Sequence, residues 1–172
     1  MRREINKPLF RVLVGIIFLM ALSTAQAQAW NYRQHTKINW RDYSSAVFTE
    51  AKQYDKPVYV FIYSDQCSWC RKFETETLEK QAIREMLETN FIPVLVNQVT
   101  QPDLAKQLGI TLVPANILLT HDNKKLLRFY GFLSTQALSD ALSQALLSWE
   151  KGELPDEEFG DESTCCPISG KH

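Results

Sequence analysis

The chain has 172 residues, 45% of them hydrophobic and 23% charged, and a formal net charge of −1. That composition fits one soluble globular domain with a proper core and short extensions. The charge is uneven: residues 150–172 carry −5 and residues 28–149 only +1. A near-neutral domain lacks the clustered Lys and Arg of a nucleic-acid surface, so no nucleic-acid partner is expected.

Arg2, Arg3 and Lys7 open the chain, Val12 to Leu22 is an unbroken apolar run, and small residues around Ala25, Ala27 and Ala29 follow. This is the three-part layout of a secretory signal peptide, assigned to residues 1–27. The apolar run is shorter than the roughly 20 residues that span a bilayer, so a cleaved leader is favoured over an uncleaved inner-membrane anchor. Export to the periplasm is the expected localisation.

Residues 28–41, with Trp30, Tyr32 and Trp40, read as an N-terminal arm. A domain is assigned to residues 42–149. Asp42 is a candidate N-cap for a helix carrying Tyr43, Val47 and Ala51 at three- and four-residue spacing. Lys56-Pro57 stops it, because the residue before proline is pushed out of the α region. Val58 to Tyr63 is a continuous β-branched and aromatic run of buried-strand type. Ser64-Asp65-Gln66 leads into Cys67-Ser68-Trp69-Cys70, and helical patterning resumes over Arg71–Leu78 and Gln81–Thr89 as one bent or broken helix.

Phe91–Val96 reads as a second strand, with Pro93 near its start or at a sheet edge. A short helix over Pro102–Leu108 ends at Gly109. Asn116–Thr120 and Leu126–Tyr130 read as a hairpin around a polar turn. Gly131 breaks the second of these strands. Ser134 caps a last helix reaching about Trp149, with Leu138, Ala141, Leu142 and Ala145 on its apolar face. Early β-α-β alternation followed by a hairpin implies an α/β fold with a mixed sheet and helices on both faces. Residues 150–172 read as an acidic flexible tail holding Cys165-Cys166.

Four cysteines in an exported chain ordinarily suggest two structural disulfides. Here they stand as Cys67-x-x-Cys70 and adjacent Cys165-Cys166, so neither local pair closes a long loop, and cross-pairing stays open. Cys67 falls where a strand-to-helix loop meets unpaired helix N–H groups, which favour a thiolate. Cys70 lies one turn further in. Cys67 is therefore the candidate nucleophile and Cys70 the resolver, and together they are the expected redox-active disulfide. Cys165-Cys166 reads as free or incidentally oxidised thiols, with a small strained ring between them, internal exchange with Cys67, intermolecular pairing and soft-metal binding as other readings. A zinc site would need two further ligands from His35, His121, His172 or the tail cysteines, none at familiar spacing, so no metal is expected.

Val58–Tyr63 followed by Cys67-x-x-Cys70, Val113-Pro114 and Gly131 resembles the thioredoxin superfamily over residues 42–149. Cys70-Arg71-Lys72-Phe73-Glu74 is similar to the corresponding segment of periplasmic thioredoxin-like proteins, such as the C-terminal domain of DsbD and SoxW-type thioredoxins. The resemblance implies a thioredoxin fold, no cofactor, and thiol–disulfide exchange with protein substrates carrying disulfides or dithiols. It implies a reductant or isomerase-pathway role fed by a membrane thiol electron donor. It also implies a cis Pro114 facing Cys67, with the Val113 backbone free to pair with substrate. Glu74 is the implied proton acceptor for Cys70, or else a solvated helix residue. Trp69 is expected to be exposed, as a substrate contact or a plain surface aromatic. The chain departs from the family pattern at Phe61, where a buried acid is usual, at Gln66, and at Ser68-Trp69. A thioredoxin-fold binding or chaperone module with a structural disulfide, and a zinc-binding protein, are the alternative readings.

Overall fold

The computed structural model describes residues 30–153 and 157–168. Signal-peptide residues 1–27 and His172 lie outside the described residues. The elements are α1 (Tyr32–His35), α2 (Ser45–Tyr54), β1 (Val58–Tyr63), α3 (Ser68–Phe73), a π-helical turn (Glu74–Leu78), α4 (Gln81–Asn90), β2 (Ile92–Asn97) and α5 (Pro102–Gln107). They continue as β3 (Leu112–Val113), β4 (Ala115–Leu119), β5 (Lys125–Tyr130), α6 (Thr135–Lys151), β6 (Glu157–Gly160), a 3-10 turn (Glu162–Thr164) and β7 (Cys166–Pro167).

Five strands form one mixed sheet in the order β2-β1-β4-β5-β6. β1 and β2 run parallel, joined by the α3–α4 crossover that a parallel pair requires. β4 is antiparallel to β1 and β5 antiparallel to β4, which is the hairpin expected from the sequence. Every residue of β1 is buried. A strand with no exposed position must be covered on both faces, which is why its sequence runs apolar without alternation. Pro93 sits second in edge strand β2, where its missing N–H costs the ladder nothing. Arg41 bridges onto that edge beside Val94, and Leu95 N–H donates to Arg41 O at 3.0 Å.

Beyond shifts of a few residues at element ends, the α2 cap, the arm and the tail differ from the sequence reading. The N-cap of α2 is Ser44, two residues beyond Asp42, whose carboxylate instead accepts from Arg33 Nη2 at 2.7 Å. The N-terminal arm is tied onto the domain. Glu79 accepts from Tyr32 OH, Thr36 Oγ1 and Lys37 N–H, and Tyr32 is buried. The tail is not wholly flexible. β6 adds to the sheet parallel to β5, Phe159 stacks on Phe129 with centroids 5.4 Å apart, and β7 pairs antiparallel with β3. Backbone pairing, which composition does not encode, orders a segment that polarity alone would leave in solvent.

Candidate active site

β1 ends at Tyr63, and Ser64 to Gln66 turn the chain so that Cys67 becomes the N-cap of α3. Cys67 N–H donates to Ser64 O at 3.1 Å, and Cys67 Sγ accepts from Cys70 N–H at 3.3 Å. A sulfur in that position satisfies an otherwise orphaned helix donor, and the donor favours negative charge on the sulfur. Across from it the Val113–Pro114 peptide is cis, and Val113 O lies 3.5 Å from Cys67 Sγ. The strand-to-helix placement thus stands where the sequence puts it, and the facing cis proline where the resemblance implies it.

The disulfide does not. Cys67 is bonded to Cys166, 99 residues away, with Cα atoms 5.8 Å apart, while Cys70 and Cys165 are free thiols. The expected Cys67–Cys70 bond is replaced because β7 lies antiparallel on β3, in register Val113↔Cys166 and Leu112↔Pro167. Ile168 N–H donates to Thr111 O at 3.1 Å and continues the pairing. The Val113 backbone, expected to be free for substrate, is occupied by the chain's own tail.

Cys70 is fully buried in the first turn of α3. Burial pushes its thiol far above the usual range, against one hydrogen bond with Ser64 backbone, and the negative charges of Glu74, Cys165 and Asp65 push it the same way. Glu74 is also fully buried, at the start of the π-helical turn. Burial raises its carboxyl from 4.5 to about 8, and the hydrogen bond from Trp30 offsets part of this. Trp30 Nε1 donates to Oε2 at 2.5 Å, and Oε1 is buried with no hydrogen-bond partner. The solvated-residue reading of Glu74 is therefore set aside. The sequence did not single out Trp30 as its partner, since 44 residues separate the two.

Phe61 packs against Phe73 at 5.6 Å and against Tyr32 at 6.0 Å, inside an aromatic cluster. The buried acid near the cysteines thus comes from the helix and not from β1. Trp69 is half-buried instead of exposed, tilted against Phe132 at 6.3 Å with Lys72 Nζ 5.0 Å from its ring. Its tryptophan face is shared with its neighbours, which leaves less of it for a partner. Among the described residues no three of His, Cys, Asp and Glu are grouped to hold a metal ion. His35 stacks on Trp30 at 4.5 Å, and His121 packs edge-on against Trp149 at 5.4 Å.

Residues 20–132 match the family described as Thioredox_DsbH, "Protein of unknown function, DUF255". The chain belongs to that family, within the thioredoxin superfamily. A thioredoxin from Thermus thermophilus shares the fold at TM-score 0.61 and 19% identity, covering 69% of this chain and 95% of that one. A DsbH oxidoreductase does so at TM-score 0.58 and 20% identity, covering 74% of this chain and 97% of that one. The C-terminal domain of Neisseria meningitidis DsbD in its oxidised form follows at TM-score 0.52 and 20% identity, covering 59% and 90%. Spermatogenesis-associated protein 20 of Rattus norvegicus is 29% identical over 72 residues, which are 42% of this chain and 9% of that protein. The chain thus spans about a tenth of the curated relatives it matches.

Proposed function

We propose that this member of the Thioredox_DsbH family is an exported thiol–disulfide oxidoreductase that exchanges disulfides with protein substrates through Cys67 and Cys70. The observation that carries the reading is the seat of Cys67: its sulfur is the helix N-cap, accepts from Cys70 N–H, and lies beside the Val113 backbone where an extended chain can pair. In the forward step the Cys67 thiolate attacks a substrate disulfide, one substrate sulfur leaves as thiolate, and a mixed disulfide forms. Cys70, after giving its proton to Glu74 in the ionised form that the carboxyl gains as pH rises toward about 8, attacks Cys67 Sγ and releases the second substrate sulfur. The buried, raised Cys70 thiol needs such an acceptor, and Glu74 is the carboxylate whose charge it feels most. Val113, Pro114 and Trp69 supply the substrate-facing surface.

The leader-like pattern of residues 1–27 supports the periplasm as the site of action. The likeness of the Cys70–Glu74 segment to electron-transfer relatives supports the reducing or isomerase-pathway direction, with a membrane thiol protein as electron donor. Insulin reduction by wild type and by Cys67→Ser tests the activity, and equal rates overturn it. Cys70→Ser combined with Cys166→Ser, which leaves Cys67 without its resolver and without the tail sulfur bonded to it, should accumulate mixed disulfides through Cys67 in cells, and their partners identify substrate and direction together.

A second reading has one observation in its favour. The Cys67–Cys166 bond closes a loop of 99 residues, and a staple of that span stabilises a fold by limiting the unfolded chain. On this reading the protein is a binding module and Cys67 never turns over. The insulin assay separates the two.

A further inference from the structure

The segment Asp161–Ile168 reaches Cys67 by a built route. Thr164 Oγ1 accepts from Phe132 N–H at 2.8 Å and donates to Asp161 O at 2.9 Å. Asp161 Oδ1 accepts from Ser163 N–H at 2.9 Å and caps the 3-10 turn. Gly131 has φ +78°, and a Cβ there would collide with Thr164 Oγ1 and Asp161 O, so the bare backbone at 131 is what lets the tail pass. Beyond the turn, Cys166 and Pro167 pair with Val113 and Leu112, and Ile168 packs against the core. An extended segment hydrogen-bonded to the strand before the proline, with its cysteine bonded to the helix-capping sulfur, has the arrangement of a substrate caught in mixed disulfide.

We propose that Cys166 is an internal exchange partner of Cys67, and that the tail occupies the substrate groove as a tethered substrate in place of an external protein. The inference rests on the oxidoreductase reading for its nucleophile and resolver. Starting from the Cys67–Cys166 disulfide with Cys70 and Cys165 as thiols, the Cys70 thiolate attacks Cys67 Sγ. The Cys67–Cys70 bond forms, the Cys67–Cys166 bond breaks, and Cys166 leaves as a thiolate that takes up the proton Cys70 gave away. One disulfide and two thiols stand on each side, so no outside oxidant or reductant is consumed. A tethered thiol acts at an effective concentration on the order of millimolar, so it competes with substrates present at micromolar levels. Cys165, half-buried with its sulfur donating to Asp161 O at 3.5 Å, stays outside this exchange.

The test is disulfide mapping of the full-length protein, oxidised by glutathione disulfide, freed of small thiols, and quenched in acid before peptide mass analysis. Wild type should yield both Cys67–Cys166 and Cys67–Cys70 peptides, and the ratio should relax to one value from either starting form. Cys70→Ser should yield Cys67–Cys166 alone. Thr164→Val, which removes the anchor on Phe132 N–H, should lower the ratio of Cys67–Cys166 to Cys67–Cys70 by about fivefold, the weight of one ordinary hydrogen bond. A Cys70→Ser protein without the Cys67–Cys166 peptide overturns the proposal. So does a wild type locked in Cys67–Cys166, which is a static staple, or a Thr164→Val ratio equal to wild type. The mapping needs no external protein: its failure with insulin reduction intact removes the tail assignment alone. Insulin inactivity with exchange intact removes only the reading of external protein substrates.

Discussion

Trp30 Nε1 donates to Glu74 Oε2, so the indole of the N-terminal arm closes over the carboxyl that electrostatically couples to Cys70. Arg71 lies over the same indole at 4.5 Å. The arm is thereby part of the candidate site, and its contacts decide how much water reaches a buried carboxyl.

That carboxyl makes stability depend on pH in a stated direction. Its folded value, about 8, lies above its ordinary 4.5 because burial disfavours the charged form. Between those values the folded chain binds more protons at this site than the unfolded chain. The contribution is therefore full below about pH 4.5 and is lost as pH rises through about 8. The loss is on the order of 5 kcal/mol at full extent. Urea unfolding of wild type and Glu74→Gln at a series of pH values should show the wild type losing ground to the variant across this window and levelling off above it. A difference independent of pH would mean that Glu74 is not buried as the structure has it.

The two free thiols should differ in reactivity. Cys165 is half-buried and raised to about 11 by burial and then by Asp161 and Glu162. Cys70 is fully buried and raised further. Titration of the oxidised protein with an aromatic disulfide reagent should modify Cys165 slowly, Cys166 only in the fraction released by exchange, and Cys70 of the Cys67–Cys166 form only on unfolding. Both should react faster as pH rises, since only the thiolate is nucleophilic. A fast reaction at Cys70 in the folded protein would show that the resolver is open to solvent.

In the core, Tyr59 OH donates to Asn116 Oδ1 at 2.5 Å with both residues fully buried, and Asn116 Nδ2 has no partner. Tyr59→Phe would leave the whole amide unpaired. Removing one partner of a buried hydrogen bond costs about 1–3 kcal/mol. The urea midpoint should fall accordingly with the slope unchanged, and an unaltered midpoint would place water at Asn116.

The elements that position Cys67 were legible because each rests on a local rule. β1 declares itself by an apolar run bounded by Pro57 and the polar Ser64–Gln66, and it spans Val58–Tyr63 as read from sequence. Ser134 caps α6 through its own side chain, accepting from Ala137 N–H at 3.2 Å. The proline facing Cys67 was legible only through the family resemblance. The partner of Cys67 was not legible, because β7 is two residues long and its pairing with β3 depends on a path over Gly131 that no local pattern encodes. An acidic, glycine- and proline-bearing segment reads as solvated whether or not its backbone finds a strand. The same holds for Trp30 and Glu74, where a helix glutamate looks solvated until a distant arm covers it.

Gly131 is the position where the tail and the domain make opposing demands. Its φ of +78° disfavours any residue with a Cβ, and here that Cβ would also press on Asp161 O and Thr164 Oγ1. Gly131→Ala should destabilise by about 1 kcal/mol through the backbone alone. The collision adds a choice: the strand end at Tyr130 shifts, or the 161–164 turn lifts away. The turn is the cheaper of the two to move, since it is exposed apart from the half-buried Thr164, whereas Gly131 N–H is tied to Pro114 O at 2.9 Å. Gly131→Ala should therefore lose protection of the Thr164 and Cys165 amides in hydrogen exchange and keep the protection of β1 and β4. Equal loss across the sheet would mean that the strand end yields first and that the tail is bound more firmly than its contacts imply.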